Sequence, residues 1–226
     1  MSELKKVKLG KRLSVIAALV GDDYDHIWDC CCDHGLLGLQ LLGKSKAKHI
    51  HFVDIVSPLL IEIETKLKRF YQGEHHWHVH CLDVALLPLQ PYKNEKQLII
   101  IAGIGGLLLV KLLTTLLPLT KALNVEFILS PVHHHYQLRH FLNEKGCGLI
   151  DECIVAENGR FYEVIHIKPG SGLPISRVGD KMWDFSNVQH QTYLQQTISH
   201  YQRLTKNPNS DVSEMIKAYQ DLTPPV

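Results

Sequence analysis

The 226-residue chain predicts an α/β fold: a parallel sheet, finished by an antiparallel hairpin, with a C-terminal α-helical hairpin behind it. Three observations carry this. Strand-like runs end in acids at Asp29, Asp54 and Asp83, and the first two lead into apolar sequence of helical spacing. Asn158-Gly159 sits between two further strand-like runs, a strong signal for a tight hairpin. Finally, Pro169-Gly170-Ser171-Gly172-Leu173-Pro174 breaks the pattern, and a polar stretch with a thin apolar stripe follows.

Residues 3–12 carry Lys5, Lys6, Lys8, Lys11 and Arg12 against Glu3, a local excess of four positive charges. Leu13, Ile16, Ala17, Leu19 and Val20 then recur at helical spacing, and Gly21-Asp22-Asp23 ends that helix. The charges suit either a solvated helix start or an edge that contacts phosphates.

Ile27-Trp28-Asp29-Cys30 reads as the first strand, Cys31 to Gly35 as a short loop and Leu36 to Leu42 as a helix. Such a βα unit presents backbone N–H groups and a positive helix end at the strand's carboxyl tip, where a carboxylate, ribose or phosphate would bind. Lys48 to Asp54 repeats the unit, with Pro58 suited to the first turn of the next helix. Asp54 follows Asp29 by 25 positions, near the offset of an acid that holds ribose hydroxyls; it could equally cap the helix. Glu74 to Asp83 reads as a third strand, half-exposed rather than metal-binding despite its alternating histidines. Asp83 could accept from an adenine amino group or simply make a turn.

Gln97 to Ala102 is apolar enough to be a central parallel strand, and Gly103, Gly105 and Gly106 would let a flat ligand approach the backbone. Leu107 to Leu117 continues as a helix that Pro118 stops. Asn124 to Pro131 is the fifth strand. His133-His134-His135 follows as a solvated loop or as a contact for RNA or substrate, and Leu138 to Leu142 as a helix. Leu149–Ala156 and Arg160–Ile167 form the hairpin, and two helices close the chain at about Trp183–Leu204 and Val212–Leu222. This gives two units, 1–169 and 170–226. The second holds five basic and five acidic side chains, so it is no electrostatic magnet.

The net charge of +1 gives no global case for nucleic acid, so any basic footprint must be local. No apolar run is long enough for a membrane span, and the first residues lack a secretory core, so a cytoplasmic protein is expected. The six cysteines, three of them adjacent at 30–32, contain no CxxC pair, so reduced thiols and no metal site are expected.

The motifs resemble those of one family, the bacterial tRNA (adenine-22, N1)-methyltransferases, within the Rossmann-like class I S-adenosylmethionine-dependent methyltransferases. Lys11-Arg12-Leu13 is similar to the family's opening helix. Asp29-Cys30-Cys31-Cys32-Asp33-His34-Gly35 resembles its first loop, and Ile101-Ala102-Gly103-Ile104-Gly105-Gly106 its glycine turn. Leu129-Ser130-Pro131 and Gly159-Arg160-Phe161-Tyr162-Glu163-Val164 look like its later motifs. Three departures stand out: Cys31 and Val53 where the family has glycine, and Val132-His133 where it has Asn. A side chain at Cys31 narrows the room for the methionine moiety.

The resemblance implies methyl transfer from S-adenosylmethionine to an adenine N1 of tRNA. Asp33 would be catalytic, unless it is only the cap of the following helix, with His34 orienting it or the base. Asp29 and Gly35 would hold the methionine end, with Cys31 beside them. Asp54 and Ile55 would take the ribose, Asp83 and Val84 the adenine, and Ala102 and Gly103 would floor the pocket. Lys8, Lys11, Arg12 and Arg139 would meet RNA. No membrane, no metal, and a monomer or weak dimer are expected. Rival readings are a methyltransferase of another RNA or a small molecule, and a non-catalytic homologue that only binds RNA or cofactor.

Overall fold

The computed structural model describes residues 8–71, 76–206 and 211–222. Lys5, Lys6, the start of the expected third strand at Glu74-His75, and most of the turn at 206–211 lie outside them.

A helix α1 (Lys11–Leu19) precedes three βα or ββ steps: β1 (Tyr24–Cys30), α2 (Leu36–Gly43), β2 (Ala47–Asp54), α3 (Ser57–Phe70) and β3 (Trp77–Cys81). Two 3-10 turns at Val84–Leu86 and Gln90–Tyr92 lead to β4 (Gln97–Ala102), α4 (Gly106–Leu119), β5 (Val125–Ser130) and α5 (His135–Glu144). The hairpin is β6 (Cys147–Glu157) and β7 (Arg160–Pro169), followed by a two-residue β8 (Leu173–Pro174) and by α6 (Val188–Leu204) and α7 (Ser213–Gln220).

The eight strands run β3-β2-β1-β4-β5-β7-β6-β8. The first five are parallel and the last three antiparallel to their neighbours. The order reverses between β1 and β4, and ligands of open α/β sheets bind at that switch, outside the carboxyl ends of the strands. β4 is buried at its first five positions, as its unbroken apolar run requires of a central strand. One face packs Ile99, Ile101 and Trp28 under α4 and α5; the other packs Ile50, Phe52 and Ile100 under α1, α2 and α3. The turn residues Asn158 and Gly159 both have positive φ, 51° and 73°, the conformation expected of a two-residue hairpin.

Two helix bounds differ from expectation. α4 runs one residue past Pro118, because a proline in the last turn removes only one bond. The first arm helix starts at Val188, not near Trp183. Asn187 accepts the N–H of Gln189 and caps it, while Trp183 turns its indole N–H to the Val178 carbonyl. The arm does not stand off the sheet: Leu194, Ile198, Tyr201, Val212 and Tyr219 share a small core with Tyr136 of α5.

Candidate active site

The loop from Cys31 to Gly35 is stitched to its neighbours by backbone bonds. Cys32 N–H donates to the Val53 carbonyl at 3.2 Å, and Gly35 N–H to that of Cys32 at 2.7 Å. Cys31, Asp33 and Gly35 all have positive φ, at 56°, 51° and 68°. Such strain in non-glycine residues gathers at functional loops. Only glycine fits at 35, since a Cβ there would lie 2.9 Å from Ile63 and 3.2 Å from Phe52.

The acids at the strand tips meet around this loop. Asp29 is buried and accepts the N–H of Gly38, in the first turn of α2, at 2.8 Å. Burial pushes its carboxyl up to about 7, the charge of Asp54 adds to that, and the Gly38 bond opposes it. Asp54 accepts from Asp33 N–H at 3.2 Å and from Val56 N–H at 3.0 Å, so it braces the first loop and also caps the turn into α3. Asp83 is exposed and accepts from Ala85 N–H at 2.9 Å, which is the turn role. All three carboxylates reach the Cys31 thiol electrostatically; burial first, then their charges, push it up to about 11. A thiol so placed stays protonated, and Cys30 and Cys32 are likewise raised and buried.

The resulting crevice is a cavity of about 310 Å³ walled by Arg12, Asp29, Cys31, Asp33, Leu36 and Gly103. Ala102 and Gly103 form its floor; Gly103 has φ 88° and donates its N–H to the Ser130 carbonyl. Ile55 is largely exposed just past the tip of β2, and Val84 is buried beneath the turn that Asp83 caps.

Asp33 does not cap α2. Its N-cap residue is Gly35, with no side-chain bond, and the Asp33 carboxylate stands in solvent with His34 Nε2 at 3.7 Å. Both side chains are therefore available to a ligand at the cavity mouth.

Arg12 lies deeper than a basic outer edge would. Its guanidinium sits over the Tyr162 ring at 4.7 Å, and Nε and Nη1 are buried with no hydrogen-bond partner among the described residues. Buried donors left open suit an anionic group, because an unpaired buried N–H is costly. Lys8 and Lys11 are exposed on the approach.

Arg139 is a correction. The sequence placed it against RNA, but it is fully buried and bonded to Glu163 at 2.6 Å and Glu152 at 2.7 Å. Glu163 also accepts from the Tyr193 hydroxyl of α6 at 2.7 Å, and Glu152 from the backbone of Asp180 and Lys181. The network ties the arm to the sheet and leaves no donor for phosphate.

The sequence reading missed a second cleft of about 360 Å³ between the sheet and the arm. It is lined by His133, His134, Tyr162, Tyr193, Gln196 and His200 among others. Tyr162 joins it to the crevice through Arg12. The sequence offered two of its walls, the His133-His134-His135 run as a contact for RNA or substrate and the Phe161-Tyr162 pair of the hairpin motif, but not that α6 joins them into a cleft. Gly105 admits this arrangement, since a Cβ there would lie 2.3 Å from the His133 ring. The histidines of β3 are also organised: His78 and His80 bond to His49 and His51 of β2, and His51 bonds in turn to His26 of β1. Among the described residues no group of three His, Cys, Asp or Glu is placed to hold a metal. No described helix is long and apolar enough to cross a membrane.

Solved structures with the same fold include the B. subtilis m1A22 tRNA methyltransferase TrmK (23% identity, TM-score 0.73, 95% of this chain and 98% of that one). M. capricolum TrmK, in complex with S-adenosyl-homocysteine, matches at 17% identity and TM-score 0.72 over 94% of this chain and 96% of that one. A Mycoplasma pneumoniae protein provisionally named a tRNA methyltransferase is 26% identical over 87% of this chain and 89% of its own length. The methyltransferase domain family matches residues 9–165, well over half of the chain. With a reversed sheet order, acids at the tips of β1 and β2 and a glycine floor at β4, the chain belongs to the methyltransferase domain family.

Proposed function

We propose that the chain is an S-adenosylmethionine-dependent tRNA methyltransferase that methylates N1 of an adenine, at position 22 as in the similar TrmK proteins. The observation that carries this reading is the crevice at the β1/β4 switch, lined by Asp29 and the Gly103 floor and opening through Arg12 and Tyr162 onto an aromatic cleft.

The residues fit the cofactor. Asp29 suits an ammonium group, Asp54 has lone pairs left for ribose hydroxyls, and Asp83 beside Val84, at the tip of the next strand, would take the adenine. Gly103, without a Cβ, leaves room where a flat or bent ligand must pass. Bound there, S-adenosylmethionine supplies a sulfonium methyl group. This chain's part is positioning and electrostatics, since an adenine N1 is a neutral nucleophile needing no deprotonation. Methylation makes the purine cationic, and the Asp33 carboxylate at the cavity mouth stabilises that charge as it develops. His34 beside it orients the carboxylate or the base.

Pairing hides N1, so the target base must be unpaired or extruded. The cleft suits a single strand: aromatic rings for stacking, imidazoles, and Arg12, Lys11 and Lys8 toward phosphates. We place the protein in the cytoplasm, as a monomer or weak dimer, with residues 1–169 as the methyltransferase unit and 170–226 as the arm.

The test is methyl transfer to unmodified tRNA transcripts, mapped by primer extension, which stops at N1-methyladenine, and by mass spectrometry of nucleosides. A stop at position 22 that depends on the cofactor supports the reading. Methylation of another base, or of none while S-adenosylhomocysteine binds, overturns it.

A further inference from the structure

Five imidazoles on one face of β1, β2 and β3 are joined by hydrogen bonds into a chain of three and a separate pair. His26 Nδ1 lies 2.9 Å from His51 Nε2, His51 Nδ1 lies 2.9 Å from His80 Nε2, and His49 Nδ1 lies 3.2 Å from His78 Nε2. His26 Nε2 bonds the Glu95 carboxylate. The rings also stack: Trp28 on His51 at 3.7 Å, His51 on His78 at 4.7 Å, and Tyr92 against His26 at 4.0 Å. Among the described residues β3 is the edge strand, five residues long and paired only with β2, and its connection to β4 holds two 3-10 turns and no α-helix. The imidazole ladder is thus a main side-chain tie of β3 on this face.

We propose that this ladder is a proton-sensitive latch that holds the edge strand β3, and with it the Asp83 turn, against the sheet at neutral pH and releases it on mild acidification.

Counting protons gives the mechanism. Each N···N contact holds one proton, not two. In the neutral chain His26 Nε2–H donates to Glu95, His51 Nε2–H to His26 and His80 Nε2–H to His51, so all three rings take the Nε2–H tautomer. One added proton is accommodated with both contacts kept, since it enters at His80 Nδ1, which lies in neither contact. The His49–His78 pair accommodates one more. A third proton sets two N–H groups against each other and breaks a contact. The five rings therefore carry at most two charges with the ladder intact, against five when it is open, a difference of three protons.

The other charged groups on this face are Glu95, Lys48 and Asp25, with Tyr92 as a phenol. Lys48 is paired to Asp25 at 2.6 Å, and His76 adds a further imidazole beside His49. Burial first, then the neighbouring imidazoles, holds His49, His51 and His78 below the usual imidazole range; burial alone does so for His80. The open state therefore binds protons more tightly, so the latch is fully engaged above about pH 6.5 and is lost as pH falls below it. Three protons change the opening equilibrium by up to about a thousandfold per pH unit.

The experiment is hydrogen exchange of the full chain from pH 7.5 to 5.5, each rate divided by the intrinsic rate at that pH. The expected result is a loss of protection in β3 of about a hundredfold or more, with β4 and β5 changing much less. In a His51→Gln/His78→Gln variant, whose amides donate and accept but do not titrate, that loss should shrink below about tenfold. Should the variant not fold, ¹⁵N spectra of the wild-type imidazoles decide. Nε2–H tautomers at His26, His51 and His80 at pH 8 support the latch. Unchanged β3 protection, an equal loss in the variant, or five charged rings with β3 still protected overturns it. The link to Asp83 rests on the proposed cofactor site. Absence of S-adenosylhomocysteine binding at pH 7.5 would remove that site and leave the exchange result untouched.

Discussion

The Asp54 carboxylate accepts the backbone N–H of Asp33 at 3.2 Å. The tip of β2 therefore fixes the loop that carries the proposed catalytic carboxylate. The Asp33 carboxylate faces solvent beside His34, since its own backbone is held by another residue and it caps no helix.

Asp33→Ala should lower the rate of methyl transfer by about a hundredfold or more, the scale expected for removing one stabilising group at developing charge. Affinity for S-adenosylhomocysteine, measured by calorimetry, should stay within a few-fold. A variant that keeps full activity removes Asp33 from the mechanism. Asp54→Ala should do the reverse, losing cofactor affinity and also some stability, because Asp33 and Val56 N–H lose their acceptor.

Asp29 carries a stability cost with a defined pH sign. Burial raises its folded carboxyl to about 7, against an ordinary value of 3.8. Below about pH 4 both states are protonated and the cost is absent; it grows as pH rises and is complete above 7. Asp29→Asn, which can still accept from Gly38, should therefore stabilise the ligand-free protein more at pH 8 than at pH 5. At about 1.4 kcal/mol per unit the ceiling is roughly 4 kcal/mol. Urea unfolding at the two pH values checks this, and weaker cofactor binding should accompany it.

Cys31→Gly should relieve a positive φ of 56° and open the crevice. The strain removed is about 1 kcal/mol, offset by the greater freedom of glycine in the unfolded chain, so net stability should change by less than about 1 kcal/mol. Affinity for S-adenosylhomocysteine should rise; a fall would show that the thiol contributes to the site.

Arg139→Met should destabilise the fold by about 3–5 kcal/mol, because Glu152 and Glu163 would be left buried and unpaired. Arg12→Ala should instead leave the melting temperature within a few degrees and weaken tRNA binding. The slope of log K against log salt should drop by about one if Arg12 meets a phosphate. Equal loss of RNA binding per unit of folded protein in both variants would reinstate Arg139 as a contact.

The acid-ended strands, the Asn158-Gly159 hairpin and the glycine turn after β4 were legible because each rests on local chemistry: alternation or continuity of apolar residues, and backbone shapes few residues adopt. Asp29, Asp54 and Gly103 followed from position at a strand tip. Arg139 did not, since its helix looks amphipathic from sequence and only the partners Glu152 and Glu163, 13 and 24 residues away, show that its charge points inward. The cleft beside Tyr162 was hidden for the same reason: its walls come from the loop after β5, the hairpin, α6 and α7.

The sequence by itself determined the order of strands and helices, the strand tips where the acids stand and the family likeness, because these depend on residue type and short-range spacing. Tertiary structure alone decided which charges face a ligand and which face each other, and that histidines from three strands form one bonded ladder. Such pairings arise from sheet register and packing across the chain, where a buried charge or imidazole takes whatever partner the fold brings within hydrogen-bond reach.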